Sequence, residues 1–208
     1  MSIQLYLSFL AAALVLVYTP GPVNVMTMGH ALQAGWRHAL PCVWGSTVAV
    51  LLQLTVTGLC LNSLLLISEH ALTVLRWLGA AYLVWLGFKQ WRSGALVGAQ
   101  ASDDASGDSR RDLFWRGFAT SGLNPKTLLF FPSFFPQFMR ADAHWSENRQ
   151  FLLLAVTFVV LFVGGMVSMA MFSHRLRHTL QRPRRVRAMN RLMGSLLVGM
   201  GALMVGLR

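Results

Sequence analysis

Carboxylates are scarce in this chain. Its 208 residues hold seven Asp+Glu against eighteen Lys+Arg. All seven (Glu69, Asp103, Asp104, Asp108, Asp112, Asp142 and Glu147) fall outside the long apolar runs described below, so no buried carboxylate is available as a proton relay. Charged residues make up 12% of the chain, about half the roughly 25% of a soluble domain, which excludes an ordinary water-soluble fold. Cysteine is rarer still, with two residues. Cys42 and Cys60 share one apolar run, roughly 27 Å apart on a helix, and cannot bridge, which excludes an intrachain thiol-disulfide carrier. The runs carry no cluster of His, Cys or carboxylates for a metal, and no Gly-rich phosphate loop, so no metal or cofactor is expected. His30, His38, His70, His144, His174 and His178 sit at run ends or in loops and read as solvated. No Ser/His/Asp or Cys/His set meets at one depth, which leaves an intramembrane enzyme as a weak alternative.

What is abundant is apolar length. Six runs, 3–28, 39–67, 71–88, 113–138, 151–172 and 189–207, approach the roughly 20 helical residues that cross a hydrocarbon core. None alternates as a barrel strand would. The chain start, Met1-Ser2-Ile3-Gln4, has neither a basic region nor a cleavage site ahead of its Pro-Gly-Pro, so it is expected to remain as part of the first span.

Positive charge sets the orientation. With the N-terminus outside, thirteen of the eighteen basic residues fall in cytoplasmic segments: Arg37, a group from Lys89 to Arg116, and seven arginines from Arg175 to Arg191. Four fall outside, which predicts that both termini lie outside. The net charge of +11 is therefore a topology signal and a contact for anionic lipid headgroups, and nucleic acid is not an expected partner. Residues 93–112, rich in Gly, Ser, Ala and Asp, read as a flexible cytoplasmic linker that halves the chain.

The halves echo each other. Arg76-Trp77-Leu78-Gly79-Ala80 opens the third run, and Arg191-Leu192-Met193-Gly194-Ser195 opens the sixth. Thr19-Pro20 interrupts the first run, and Asn124-Pro125 interrupts the fourth. Two units of three spans, an odd number, must be inverted relative to each other, which is a common transporter plan. Thr or Asn is a good N-cap and Pro a good first helical residue, so each interruption predicts a half-helix starting inside the span. The N-H groups and positive dipole end of such a half-helix suit a carboxylate. Gly21, Pro22 and Asn24 sharpen the first break, and Lys126 follows the second. Lys126 is the one basic residue deep in a run and can pair with a carboxylate; snorkelling to an interface is the structural alternative. Gln53, near the middle of the second run, lines a cavity or bridges helices. The pairs Gly45/Ala49, Gly117/Ser121, Ser195/Gly199 and Ala202/Gly206 permit close helix packing, within one chain or in a homo-oligomer.

The motifs YTPGPVN at 18–24, AGWR at 34–37, LGAAYLVWLG at 78–87, NPK at 124–126 and FPQF at 135–138, in this order, resemble the LysE/RhtB family of bacterial amino-acid exporters nearly end to end. LGAAYLVWLGFKQWR, FFPQF and NRLMGSLLVGMGAL are most similar to its RhtB branch, the homoserine/homoserine lactone efflux proteins. The resemblance implies an inner-membrane protein that expels small amino acids or their derivatives in exchange for protons. The chain departs from the family at Val23, where members commonly carry an acid, and in the fifth run, where some carry one and this chain has Leu161, Phe162 and Gly164.

The expectation is thus an all-α membrane protein of six transmembrane helices in two inverted repeats, 1–92 and 113–208, joined by the 93–112 linker, with helices 1 and 4 broken at Pro. The expected substrate-binding residues are Thr19, Pro20, Gly21, Pro22, Asn24, Gln53, Asn124, Pro125 and Lys126. The substrate is a small neutral amino acid such as homoserine, its lactone or threonine; a leucine-like substrate and a non-transporting scaffold are the alternatives. Cysteines introduced into 93–112 or 175–191 should react with membrane-impermeant thiol reagents from the cytoplasmic side alone; labelling in intact cells would reverse the orientation.

Overall fold

The computed structural model describes residues 3–19, 21–65, 69–92, 109–140, 145–173 and 183–206. The described residues are helical, without strands: α1 (Ile3–Tyr18), α2 (Pro22–Ala34), α3 (Trp36–Leu65), α4 (Glu69–Arg92), α5 (Arg110–Gly122), α6 (Pro125–Phe134), a 3-10 turn (Phe135–Phe138), α7 (Glu147–Met171) and α8 (Pro183–Gly206). Among them, α3 over Trp36–Leu61 and α7 are each long and apolar enough to cross a membrane, and α1 with α2 makes a third if that pair, bent by 57°, is one span. α5 and α6 are separate helices of 13 and 10 residues, each shorter than a span.

Helix α5 begins inside the segment read as linker. Ser109 and Asp112 form a reciprocal cap in which Asp112 N-H donates to Ser109 Oγ, while Ser109 N-H and Oγ-H donate to Asp112 Oδ2 at 3.2 and 2.6 Å. These bonds hold the Asp112 carboxyl below its usual pKa. Of the linker, 93–108 lies outside the described residues.

Helix association inside lipid gains little from the hydrophobic effect and depends on close contact and interhelical hydrogen bonds. Glycine supplies the contact. On α3 and α5, a Cβ at Gly45 would strike the Phe114 carbonyl, and one at Gly117 would strike that of Cys42, so the pairs Gly45/Ala49 and Gly117/Ser121 serve packing within one chain. On α4 and α8, a Cβ at Gly87 would lie 2.6 Å from Gly194 O, and one at Gly194 2.5 Å from Gly87 O. Beside that crossing, Gln90 Nε2 donates to Asn190 Oδ1 at 2.8 Å, both side chains buried. Ser195, Gly199 and Ala202 lie instead on the exposed side of α8.

Helix directions follow from these contacts. α3 and α5 run parallel, Cys42 meeting Gly117 and Ala49 meeting Gly122. α1 and α7 also run parallel, tied by Tyr6 to Thr157 and Tyr18 to Ser168, each at 3.0 Å. α4 and α8 are antiparallel. A phenylalanine cluster fills the centre, with the Phe9 ring of α1 5.3–5.6 Å from Phe134, Phe135 and Phe138, and Phe131 edge-on to Phe158 of α7 at 5.0 Å. Such pairs contribute about 0.5–1.5 kcal/mol each beyond burial.

Gly45→Leu and Gly117→Leu should each lower the unfolding free energy by about 1–3 kcal/mol or more, because backbone must move. Gly164→Leu, where an added Cβ meets nothing within 4 Å, should leave the melting temperature in detergent unchanged or raised.

Candidate functional site

Both interruptions are places where a helix ends and leaves carbonyl oxygens without intrahelical partners, a costly state away from water. At the first, Thr19 closes α1: its N-H and its hydroxyl both donate to Val15 O, at 2.9 and 2.6 Å. Thr19 therefore does not cap the next helix as its sequence suggested. Gly21 stands at that N-cap without a side-chain bond, Pro22 takes the first helical position, and Val25 N-H donates to Gly21 O. Pro20 lies outside the described residues. From α2 the buried Asn24 reaches back, and its Nδ2 donates to Val17 O at 2.9 Å and Thr19 O at 3.2 Å.

The second interruption has the same plan with a different donor. α5 ends at Gly122, and α6 begins at Pro125 with Asn124 O accepting from Thr127 and Leu128 N-H. Here the amide comes from the neighbouring helix: Gln53 Nε2 of α3 donates to Ser121 O and Gly122 O at 3.1 and 3.0 Å. Its Oε1 is buried with no hydrogen-bond partner. Gln53 both bridges helices and lines a cavity of about 340 Å³ with Thr57, Gly122, Leu123, Leu128 and Pro132. The cavity wall is mostly apolar, and Leu123 and Leu128 are exposed at its edge. The side chains of Pro125 and Lys126 lie outside what the structure describes.

The two breaks are not level. Val23, just past the first, packs with Val43 of α3, whereas Gln53 of the same helix holds the second. Ten residues on one helix separate them by roughly 15 Å. Thr19, Gly21, Pro22 and Asn24 thus form one group, and Gln53 and Asn124 another.

Sequence reasoning missed a buried polar row on α2. Asn24, Thr27 and His30 follow at intervals of three, all buried, and Thr27 Oγ1 lies 3.3 Å from Cys42 Sγ of α3. Ser46 Oγ, one turn along α3, donates to Cys42 O at 2.8 Å and Gly117 O at 3.1 Å. His30 is 5% exposed, not solvated, because α2 packs along its length on α3 through Thr27–Cys42 and the Ala31/Ala39 cluster. The spacing of polar residues after the break was the available signal.

The family model for LysE type translocators matches residues 14–206. The chain belongs to the LysE type translocator family. A homoserine/homoserine lactone efflux protein of Salmonella typhimurium is 30% identical over 100% of this chain and 99% of its own length. A leucine efflux protein of Klebsiella pneumoniae is 30% identical over 95% of the chain and 92% of its own length. An uncharacterized membrane protein of Vibrio cholerae is 31% identical over 98% of both. No solved structure matches. The LysE-family chain is accordingly a translocator and not an enzyme.

The amide clamps make a stability prediction. Asn24→Leu and Gln53→Leu should each cost about 1–2 kcal/mol by leaving two carbonyls without donors. Unchanged melting temperatures for both variants in detergent would show that the clamps do not hold the breaks.

Proposed function

We propose that this LysE-family amino-acid efflux transporter exports small neutral amino acids or derivatives of the homoserine, homoserine lactone or threonine type, coupled to protons. The observation that carries the substrate class is electrostatic: among the residues whose side chains are described, no Asp, Glu, Lys or Arg is buried. An interior without fixed carboxylates disfavours a cationic substrate. The relative named for homoserine and homoserine lactone efflux, similar over its whole length, supports the same class.

In this reading the chain spans the inner membrane six times, both termini outside, as inverted repeats 1–92 and 113–208. The paired contacts support it: α3 lies along α5 as α7 lies along α1, and α4 and α8 cross antiparallel at glycine. The arginine-rich loops rest on anionic headgroups. Thr19, Pro20, Gly21, Pro22 and Asn24 form one half of the substrate path, and Gln53, Asn124, Pro125 and Lys126 the other. Lys126, second residue of α6, supplies the ammonium for the substrate carboxylate. A leucine-like substrate is the second reading, favoured by the apolar wall around Gln53 and by the relative named for leucine efflux.

Vesicles preloaded with a panel of labelled neutral and cationic amino acids, with and without a proton gradient, test this. Gradient-sensitive efflux of neutral compounds is expected, and none for any compound would refute the reading. Lys126→Met should abolish efflux while membrane expression holds. Near-normal efflux by that variant removes Lys126 from the site.

A further inference from the structure

Proton coupling needs a group that changes charge inside the protein, and the chain has no buried carboxylate among its described side chains. The buried titratable side chains described are Cys42 and His30, and of these the imidazole alone ordinarily changes charge between pH 5 and 8. His30 also sits on a helix with a glycine at each end. α2 is a thirteen-residue helix bounded by Gly21, where an added Cβ would meet nothing closer than 4.0 Å, and by Gly35, at φ 88° with nothing within 4 Å. It is bent 57° from α1.

We infer that His30 is the proton-carrying residue of transport and α2 the element whose packing its protonation controls. The inference rests on the exporter reading above. The imidazole takes one proton on the acidic side of the membrane and gives the same proton up on the other; no other bond changes. His30 is buried where α2 packs on α3 and α7, so a change in its charge acts on that packing.

Among the described residues, the helices packed on α2 bring one buried titratable side chain to it, Cys42. From α3 the titratable neighbours are Cys42, which bonds Thr27, with His38 and the exposed Arg37, whose guanidinium lies 5.4 Å over the Trp36 ring. From α5 they are Arg110, Arg111, Asp112 and Arg116, all exposed. α7 carries its titratable groups, Glu147 and Arg149, at the end opposite Ala170, which packs beside Ala31.

The full chain in liposomes with a trapped pH dye, given a labelled neutral amino acid, tests the assignment. Wild type should move substrate and protons together, with a rate that varies between pH 5.5 and 8. His30→Gln should keep substrate counterflow yet lose gradient-driven accumulation about tenfold or more, with a flat pH profile. A second variant that keeps His30 and replaces the other five histidines with Gln should retain coupling. Gradient-driven transport by His30→Gln overturns the inference, as does loss of counterflow along with coupling, or loss of coupling with counterflow intact in the second variant. Wild-type transport without proton movement overturns it together with the proton-coupled part of the reading above, and leaves export of neutral compounds in place. No transport of any compound ends both.

Discussion

A helix that stops inside a packed protein leaves carbonyl oxygens without intrahelical partners, and the structure is organised around answering two such ends. At the end of α1 the answer is Asn24 Nδ2 on Val17 O and Thr19 O. At the end of α5 it is Gln53 Nε2 on Ser121 O and Gly122 O. One amide carries two hydrogens, so one side chain can satisfy two acceptors in a small volume. The second answer makes a demand on the rest of the fold, because its donor belongs to another helix. α3 must lie close enough along α5 for a glutamine to reach the last turn.

Gly45 and Gly117 meet that demand by removing the side chains that would hold the backbones apart. With α3 seated on α5, Ser46 adds a bond to Gly117 O, and the cavity beside Gln53 forms between α3, α5 and α6. The Phe9, Phe134, Phe135 and Phe138 rings then join α1 to the turn that follows α6. Elsewhere the same economy recurs: the fully buried Gln150 donates to Arg140 O and Trp145 O and accepts from Arg140 N-H, tying down the backbone ahead of α7.

The polar groups inside are therefore mostly committed. Thr19, Ser46, Thr47 and Thr57 each donate to the carbonyl four residues back, which hides a hydroxyl in its own helix. Gln90 and Asn190 are joined to each other.

The amino-acid order alone determined the solvent and the helical class. Apolar runs without alternation exclude strands. The motifs in series also carried the family. Which side chain satisfies each stop was not legible. Thr19 turned back to Val15, and Gly21 with Pro22 took the start of α2, because hydroxyl and glycine compete for the same turn and only the bend between α1 and α2 decides. The roughly 15 Å between the breaks, the meeting of Gly45 with Phe114 and of Gly117 with Cys42, and the burial of His30 all depend on how far one helix slides along another. Sliding is governed by contacts between residues distant in the chain, and periodicity within one helix carries no information about it. Tertiary packing alone decided those features.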